Sequence, residues 1–290
     1  MGEPSAPSDV VIARVAARAF ERDRYLAALL APARVRDDLI ALAAFAGEIG
    51  RIAGYVSEPM MGHMRLQWWR DAIGARAATG NPIADRVRQT IARHPDVHGL
   101  LDEALDARGR NLDADAPADL AELSAYLDAA EGGLFAAAAI VCSRAPRLDR
   151  ELTQHAGRAY GLARGLMELP MLLAQGRMQV PSALLAVEGL TSDQLRAGIP
   201  VGHTAHQPFM RVVAALSAEA RANLRIWQNN SGPPREHSAA LLPLALVEPY
   251  LRLVERTWAE AGFAIMGPAI DVSPLRRVWT LWRAHRTKRI

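Results

Sequence analysis

The chain has 290 residues, of which 50% are hydrophobic and 22% are charged, values that are ordinary for a globular protein with one substantial core. Its 34 basic and 31 acidic residues leave a net charge of +3, which is too small to indicate a nucleic-acid partner. No apolar run reaches the roughly 18 residues that a membrane-spanning helix needs, so we do not expect an integral membrane protein.

The N-terminal residues, MGEPSAPSD, lack the charged-then-apolar order of a secretory signal. We predict a disordered lead over residues 1–8 and one folded domain over residues 9–290. The single cysteine, Cys142, excludes an internal disulfide and fits a reducing compartment. These features favour a cytoplasmic location, with a peripheral position at the inner membrane as a further option.

Ala, Leu and Arg recur at helical spacing along nearly the whole chain, whereas the alternation typical of strands never persists. The sequence therefore predicts an all-α protein. Glycines and prolines separate the helices, and no long linker or fixed-period repeat divides the chain, so we predict one domain. The predicted helices cover residues 9–30, 34–56, 59–79, 82–93, 97–109, 119–143, 147–173, 181–187, 191–197, 207–230, 235–263 and 273–287.

Residues 157–181 contain a helix face of unusual composition. Its members follow one another at the spacing of a single face: Gly161, Arg164, Gly165, Glu168 and, one turn past Pro170, Leu172. Apolar side chains and Tyr160 flank this face. Two glycines, an arginine and a glutamate between apolar flanks are typical of a wall that lines a cavity.

This segment resembles the second signature of the squalene/phytoene synthase family, in which a helix of the all-α isoprenoid-synthase fold is followed by a Gly-Arg turn and Leu-Pro. Gly176, Arg177 and Pro181 stand in the turn positions. The resemblance implies an aspartate pair, four residues apart, that holds magnesium against the diphosphate of the substrate. Here Glu168 and Leu172 stand at those two positions. The preceding arginine and asparagine of the signature are replaced by Met167 and Arg164.

The first signature of the family is matched by ALAAFAGEIGRIAGYV, residues 41–56. The resemblance places Gly47 at a conserved arginine, Gly50 and Arg51 at an aspartate pair, and Gly54 at a further aspartate. These four positions share one helix face, and all their carboxylates are missing. The glycines fit either a close approach of two helices or an open ligand cavity.

The missing carboxylates decide the predicted function. Ionising an allylic diphosphate needs its charge neutralised by Mg²⁺ ions, which take carboxylate oxygens as ligands. Only Glu168 survives, so we predict no catalytic residue, no metal site and no cofactor. Arg51 is expected to pair with Glu168 across the cavity. The simpler alternative is two local pairs, Glu48 with Arg51 and Arg164 with Glu168.

A narrower resemblance covers SEPMMGHMRLQWWRDAI at residues 57–73, RDRYLAALLAP at 22–32 and AFAGEIGRI at 45–53. These stretches look like the branch of the family related to a mitochondrial assembly factor of respiratory complex I. That branch keeps the fold and a glutamate where Glu48 stands. The branch is not known for prenyl coupling, so the resemblance points to a protein without that reaction.

Three functions follow from these observations. The favoured one is a non-catalytic assembly or binding protein, and its rival is a prenyltransferase that couples two prenyl diphosphates with a rearranged Mg²⁺ site. The third is a protein whose cavity binds the tail of an isoprenoid or quinone, while Arg51 and Arg164 bind its polar or anionic head group. The candidate ligand-binding residues are Glu48, Arg51, Tyr55, Tyr160, Arg164, Glu168 and Arg177.

Other residues are assigned structural roles. The adjacent Trp68 and Trp69 fit a core and helix-interface position better than a binding site. His203 and His206 have a spacing that a metal could use, but no third ligand is near in sequence, so we expect a surface loop. Structural roles are also expected of Leu112, Asp113, Tyr126 and Glu131.

The last predicted helix is basic and amphipathic. Ser273 and Pro274 are suited to its start, and Leu275, Val278, Trp279 and Trp282 fall on one side. Arg276, Arg277, Arg283, Arg286 and Lys288 lie mostly elsewhere. Such a helix fits a peripheral membrane contact through Trp279, Trp282, Arg283 and Arg286. We favour over this contact the simpler arrangement in which the tryptophans pack on the helical bundle.

Overall fold

The computed structural model describes residues 8–56, 58–113, 116–143, 148–230, 238–266 and 270–288. These residues are almost entirely helical, which confirms the all-α prediction. In chain order the helices are α1 (Asp9–Phe20), α2 (Arg22–Leu29), α3 (Ala33–Tyr55), α4 (Pro59–Gly74), α5 (Pro82–Arg93), α6 (Val97–Asp113), α7 (Leu120–Leu127), a π-helical turn (Asp128–Gly132), α8 (Gly133–Cys142), α9 (Arg150–Ala174), α10 (Ser182–Val187), α11 (Ser192–Ala197), α12 (His206–Asn229), α13 (Ser238–Leu241), a 3₁₀ helix (Leu242–Leu246), α14 (Val247–Ala261) and α15 (Pro274–Thr287).

Three predicted helices are interrupted: 9–30, 119–143 and 235–263, the last of which contains the 3₁₀ helix Leu242–Leu246. The first two interruptions place charged side chains inside the bundle. The predicted helix 9–30 breaks at Glu21, whose φ of −134° and ψ of 55° leave the helical region. The predicted helix 119–143 contains the π-helical turn, which ends at Gly132. Of the predicted lead at residues 1–8, residues 1–7 lie outside the described residues.

Helices α3 and α9 form the centre of the bundle. Residues 39–46 of α3 are buried on every side of the helix, as expected of a helix that is apolar all round. Helix α9 packs against α12, α14 and the π-helical turn. It continues through Pro170 to Ala174, so it extends slightly past the predicted end.

A glycine contact brings the π-helical turn directly against α9. A Cβ atom on Gly157 would lie 2.3 Å from the backbone nitrogen of Gly132. Beside this contact, Arg158 of α9 donates two hydrogen bonds to Asp128, at 2.7 and 2.6 Å. The turn is thereby fixed with Glu131 directed into the bundle, where its side chain is 5% exposed.

One stretch contradicts the expectation that no segment is apolar and long enough to cross a bilayer. Residues 120–142, which comprise α7, the π-helical turn and α8, meet both criteria of length and composition. Most of this stretch is buried inside the bundle. Packing against α3, α6 and α9 accounts for its apolar character.

Helix α15 packs on the 3₁₀ helix and α2 through its inner side, where Arg277, Leu281 and Ala284 are buried. The side chains of Trp279 and Trp282 are 59% and 42% exposed. The expectation that these tryptophans pack on the bundle is therefore wrong, because the inner side of the helix is occupied by other residues.

Candidate functional site

A two-lobed cavity lies between α1, α3 and α9. The lobes have volumes of about 400 and 380 Å³, a size suited to small ligands. Their shared wall is formed by Ala19, Phe20, Glu21, Arg164, Glu168 and Met171. We call them the glycine lobe, which is bounded by α3 and the turn after α9, and the tyrosine lobe, which is bounded by α14 and α15.

The glycine lobe collects most of the residues that the sequence singled out. It is lined by Gly47, Gly50, Arg51, Gly54, Tyr55, Gly161, Arg164, Glu168, Leu172 and Arg177. Tyr160 lines the tyrosine lobe instead. Glu48 lines neither lobe but a shallow surface cleft shared with Arg51 and Trp68. The two helix faces read from the sequence thus meet across one cavity.

Six residues form a continuous chain of ion pairs along the cavity wall. From one end to the other they are Arg108, Glu131, Arg24, Glu21, Arg164 and Glu168. The successive N–O distances are 2.8, 2.8, 2.9, 2.5 and 2.7 Å. Charges alternate along this ion-pair chain, so each carboxylate inside it is held by two guanidinium groups.

The ion-pair chain strongly lowers the pKa of Glu131. Burial alone would raise the pKa of its carboxyl, but Arg24, Arg108 and Arg164 outweigh burial and lower that pKa to about 2. Glu131 therefore stays charged at neutral pH although it is buried. This is the environment in which a buried carboxylate is stable, because its charge is fully paired.

The prediction that Arg51 pairs directly with Glu168 is wrong. Arg51 lies 3.9 Å from Glu48 and stacks over the rings of Phe20 and Tyr55, at 4.0 and 4.7 Å from their centroids. Glu168 accepts a hydrogen bond from Arg164 instead, at 2.7 Å. The two local pairs, named as the alternative, are the ones that form.

The glycines on the two helix faces, of α3 and α9, have different structural roles. A Cβ on Gly47 would lie 2.7 Å from Cβ of Phe20, and one on Gly161 would lie 2.5 Å from a methyl carbon of Leu127. These two glycines permit close helix packing. A Cβ on Gly50 would meet its nearest neighbour, Arg108, only at 3.9 Å, so Gly50 faces open space in the lobe.

The tyrosine lobe has a hydrogen-bonded centre at Asp23. Its carboxylate accepts hydrogen bonds from the hydroxyls of Tyr160 and Tyr250, at 2.9 and 2.5 Å. Arg277 lies 2.8 Å from the other oxygen of Asp23 and also pairs with Asp271 at 2.5 Å. Burial and the charge of Asp23 raise the pKa of both tyrosines well above their ordinary value.

One cation of the glycine lobe lacks a carboxylate. Arg177 forms no ion pair with another residue in the described part of the chain, and its buried Nε atom has no hydrogen-bond partner. Burial lowers the pKa of Arg177, and nearby Arg108 adds to this effect. Among the described residues, its guanidinium is thus not neutralised by a carboxylate.

The donor set of the cavity does not fit a magnesium cluster. The five carboxylates that line the lobes, Glu21, Asp23, Glu131, Glu168 and Asp271, each pair with at least one arginine. Within the described ranges, no three His, Cys, Asp or Glu side chains are grouped as a metal site requires. Binding Mg²⁺ here would require breaking these ion pairs.

Sequence reasoning missed four residues of this arrangement: Glu21, Asp23, Arg24 and Arg108. The signal for the first three was the run ERDR at residues 21–24, four successive charges between apolar helical stretches. Glu131 was assigned a structural role, as was Tyr126, whose hydroxyl accepts a hydrogen bond from Arg108 at 2.5 Å. The side chain of Asp113 lies outside the described residues.

The remaining candidates have simpler positions. Trp69 is buried and packs edge-on against Phe45, as expected, whereas Trp68 is 44% exposed. The surface-loop prediction is wrong for His206, which is buried at the start of α12 with a ring nitrogen 2.9 Å from the carbonyl oxygen of Trp258. Its partner in the predicted pair, His203, is exposed.

Comparison with known proteins agrees with this architecture. A sequence model of squalene/phytoene synthase matches residues 17–283. The chain is 24% identical over 288 residues to "NADH dehydrogenase (ubiquinone) complex I, assembly factor 6" of Rattus norvegicus, covering 97% of this chain and 84% of the relative. The human protein of the same name is 22% identical over 258 residues, covering 88% and 75%.

Solved structures extend the likeness to the fold. A dehydrosqualene synthase crystallised with a ligand superposes with a TM-score of 0.79 at 15% identity, covering 97% of this chain and 96% of that one. The squalene synthase HpnC of Alicyclobacillus acidocaldarius gives a TM-score of 0.63 at 18% identity, covering 96% and 94%. With the family match spanning nearly all of the sequence, this chain belongs to the squalene/phytoene synthase family.

Proposed function

We propose that this protein is a non-catalytic member of the squalene/phytoene synthase family that binds an isoprenoid- or quinone-type lipid in its cavity. The observation that carries the proposal is the pairing of every lobe-lining carboxylate with arginine. A cavity of this fold whose acidic groups are neutralised by guanidinium can hold a lipid but lacks the means to ionise a diphosphate.

The argument against prenyl transfer is electrostatic. Negative charge develops on the departing diphosphate in the transition state, and fixed positive charge is needed to stabilise it. In the family, the resemblance assigns this task to Mg²⁺ on aspartates. Here glycine, arginine and leucine stand at those positions except for Glu168, which is paired with Arg164. Losing even one preorganised stabiliser costs on the order of 3 kcal/mol of barrier, so losing the set should abolish measurable coupling.

The argument for lipid binding is the chemistry of the lining. Apolar side chains line the tyrosine lobe, among them Met167, Ile265 and Ile270, and the glycine lobe adds Leu172 and the open face at Gly50. Arg177 and Arg51 stand at the polar side of the glycine lobe. A guanidinium group binds a phosphate or a polar head without a metal ion.

The relatives suggest where such binding is used. Several proteins that match this chain over most of its length are named as assembly factors of respiratory complex I. We propose a role of the same kind here, in the assembly of a respiratory complex. The lipid would then serve as a structural ligand or as a cargo rather than as a substrate.

Two measurements test the cavity proposal. Purified protein incubated with farnesyl diphosphate and Mg²⁺ should release no pyrophosphate and form no coupled product, and either product would refute the proposal. Farnesyl diphosphate in excess EDTA should still bind. We expect Arg177→Gln to weaken that binding by about tenfold, the loss of one charge-assisted contact.

Matched variants locate the binding. Gly50→Leu should fill the glycine lobe and weaken binding, whereas Arg225→Gln, which changes an exposed arginine of α12, should leave binding unchanged. Mass spectrometry of lipids extracted from the freshly purified protein should identify a long-chain apolar molecule. Equal affinity in the wild type, Gly50→Leu and Arg177→Gln would place binding elsewhere and overturn the assignment of the lobe.

A further inference from the structure

We infer that the outer face of α15 docks on a bilayer containing anionic lipids. This α15 face consists of Leu275, Val278, Trp279 and Trp282, which are 85%, 49%, 59% and 42% exposed. Their spacing of i, i+3, i+4 and i+7 makes one continuous apolar stripe along the helix. The inference concerns a surface outside the cavity and does not depend on the proposed function.

The α15 face is outward because the opposite side of the helix is firmly anchored. Arg277, Leu281 and Ala284 are 4%, 1% and 5% exposed. Arg277 is fixed by Asp23 and Asp271, and its NH2 group lies 3.1 Å from the Tyr250 hydroxyl. The helix cannot rotate its tryptophans inward without breaking these buried contacts.

The two tryptophans form a flat amphipathic platform. Their rings stack at 5.1 Å with an interplanar angle of 29°, and Arg286 lies over the Trp282 ring at 5.9 Å. Tryptophan is favoured at the boundary between lipid headgroups and acyl chains, where its ring is partly buried and its N–H remains hydrogen-bonded. A stacked pair next to an arginine suits this boundary.

The charge of α15 selects the kind of surface. Residues 274–288 contain five basic residues and no Asp or Glu. Arg277 is neutralised in the core, and the other four, Arg276, Arg283, Arg286 and Lys288, are exposed. These four form no ion pair with another described residue. An apolar stripe edged by such cations is complementary to an anionic lipid surface, in which such helices lie parallel to the plane of the membrane.

The test is co-flotation of the full chain with vesicles. The wild type should bind vesicles of phosphatidylcholine mixed with phosphatidylglycerol, should bind pure phosphatidylcholine much less, and should be released by high salt. Its tryptophan emission should shift to shorter wavelength on binding. Trp279→Ser/Trp282→Ser and, separately, Arg276→Gln/Arg283→Gln should each reduce the bound fraction by about tenfold.

Matched controls distinguish binding through the α15 face from nonspecific binding of the protein to vesicles. Trp68→Ser removes a tryptophan of similar exposure from α4, and Arg225→Gln removes an exposed arginine from α12, so both should bind like the wild type. All substituted side chains are exposed, and unchanged thermal unfolding confirms that each variant is folded.

Three outcomes would overturn the inference. The first is a wild type that ignores anionic vesicles or binds neutral ones equally well. The second is a Trp279→Ser/Trp282→Ser variant that binds like the wild type, or a Trp68→Ser variant that loses binding to the same degree. The third is a wild-type dimer that becomes monomeric in Trp279→Ser/Trp282→Ser, because the α15 face would then be an interface between copies of the chain.

Discussion

Arg24 donates a hydrogen bond to Glu131 at 2.8 Å, although 107 positions separate the two residues along the chain. Arg24 lies in the first turn of α2, just after the break between α1 and α2, and Glu131 lies in the π-helical turn. Their contact joins two interruptions of otherwise regular helices. Both interruptions serve to bring charged side chains to the wall of the cavity.

Glu131→Gln should strongly destabilise the fold. The substitution leaves Arg24 and Arg108 facing a neutral amide inside the bundle, and breaking a buried ion pair from one side costs about 3 to 5 kcal/mol. Urea unfolding followed by circular dichroism measures this loss. Glu103→Gln, which removes an exposed carboxylate of α6, is the matched control and should change the free energy of unfolding by less than about 1 kcal/mol.

Stability should fall in acid because of Glu131. Its folded pKa of about 2 is below its ordinary value of 4.5, so its contribution is fully present above pH 4.5 and is lost as the pH falls towards 2. The free energy of unfolding of the wild type should therefore decrease through this window. In Glu131→Gln the decrease should be smaller, and an identical slope in the two proteins would contradict the assignment.

Gly157→Ala and Gly50→Ala should have opposite effects. A Cβ on Gly157 would lie within 3 Å of the Gly132 backbone, which cannot move without displacing the π-helical turn. Overpacking of this kind costs about 1 to 3 kcal/mol. Gly50 faces open space in the middle of α3, so alanine there should stabilise the protein by up to about 1 kcal/mol. Melting temperatures measure both effects, and equal losses in the two variants would disprove the distinction between packing and cavity glycines.

Asp23→Asn should loosen α15. The carboxylate of Asp23 is the common partner of Tyr160, Tyr250 and Arg277, and an amide cannot neutralise the buried guanidinium. Hydrogen exchange followed by mass spectrometry should show faster exchange in residues 274–288, with little change in α5. Exchange in α15 that matches the wild type would mean that apolar packing alone holds the helix.

The sequence determined the local features of this protein. Helical periodicity predicted the all-α class. The two signature segments, residues 41–56 and 157–181, indicated the family and the missing aspartates. Each of these signals comes from residues that are close together in the sequence. The face from Gly47 to Gly54 and the face from Gly161 to Leu172 were both visible at this level. The expectation that these two faces meet across one cavity came from the family resemblance and not from the helical spacing of the residues.

Only the tertiary structure decided the partners of the charged groups. Arg164 reaches Glu21 across 143 positions, and Arg51 turns to Glu48 and Phe20 instead of Glu168. Helical spacing defines which side chains share a face but not which faces pack together. It therefore could not show that Glu21 and Asp23 are buried or that Trp279 and Trp282 point outward. Those outcomes depend on where the chain breaks, at Glu21 and at the π-helical turn, and on the burial of Arg277, which leaves α15 only one way to face.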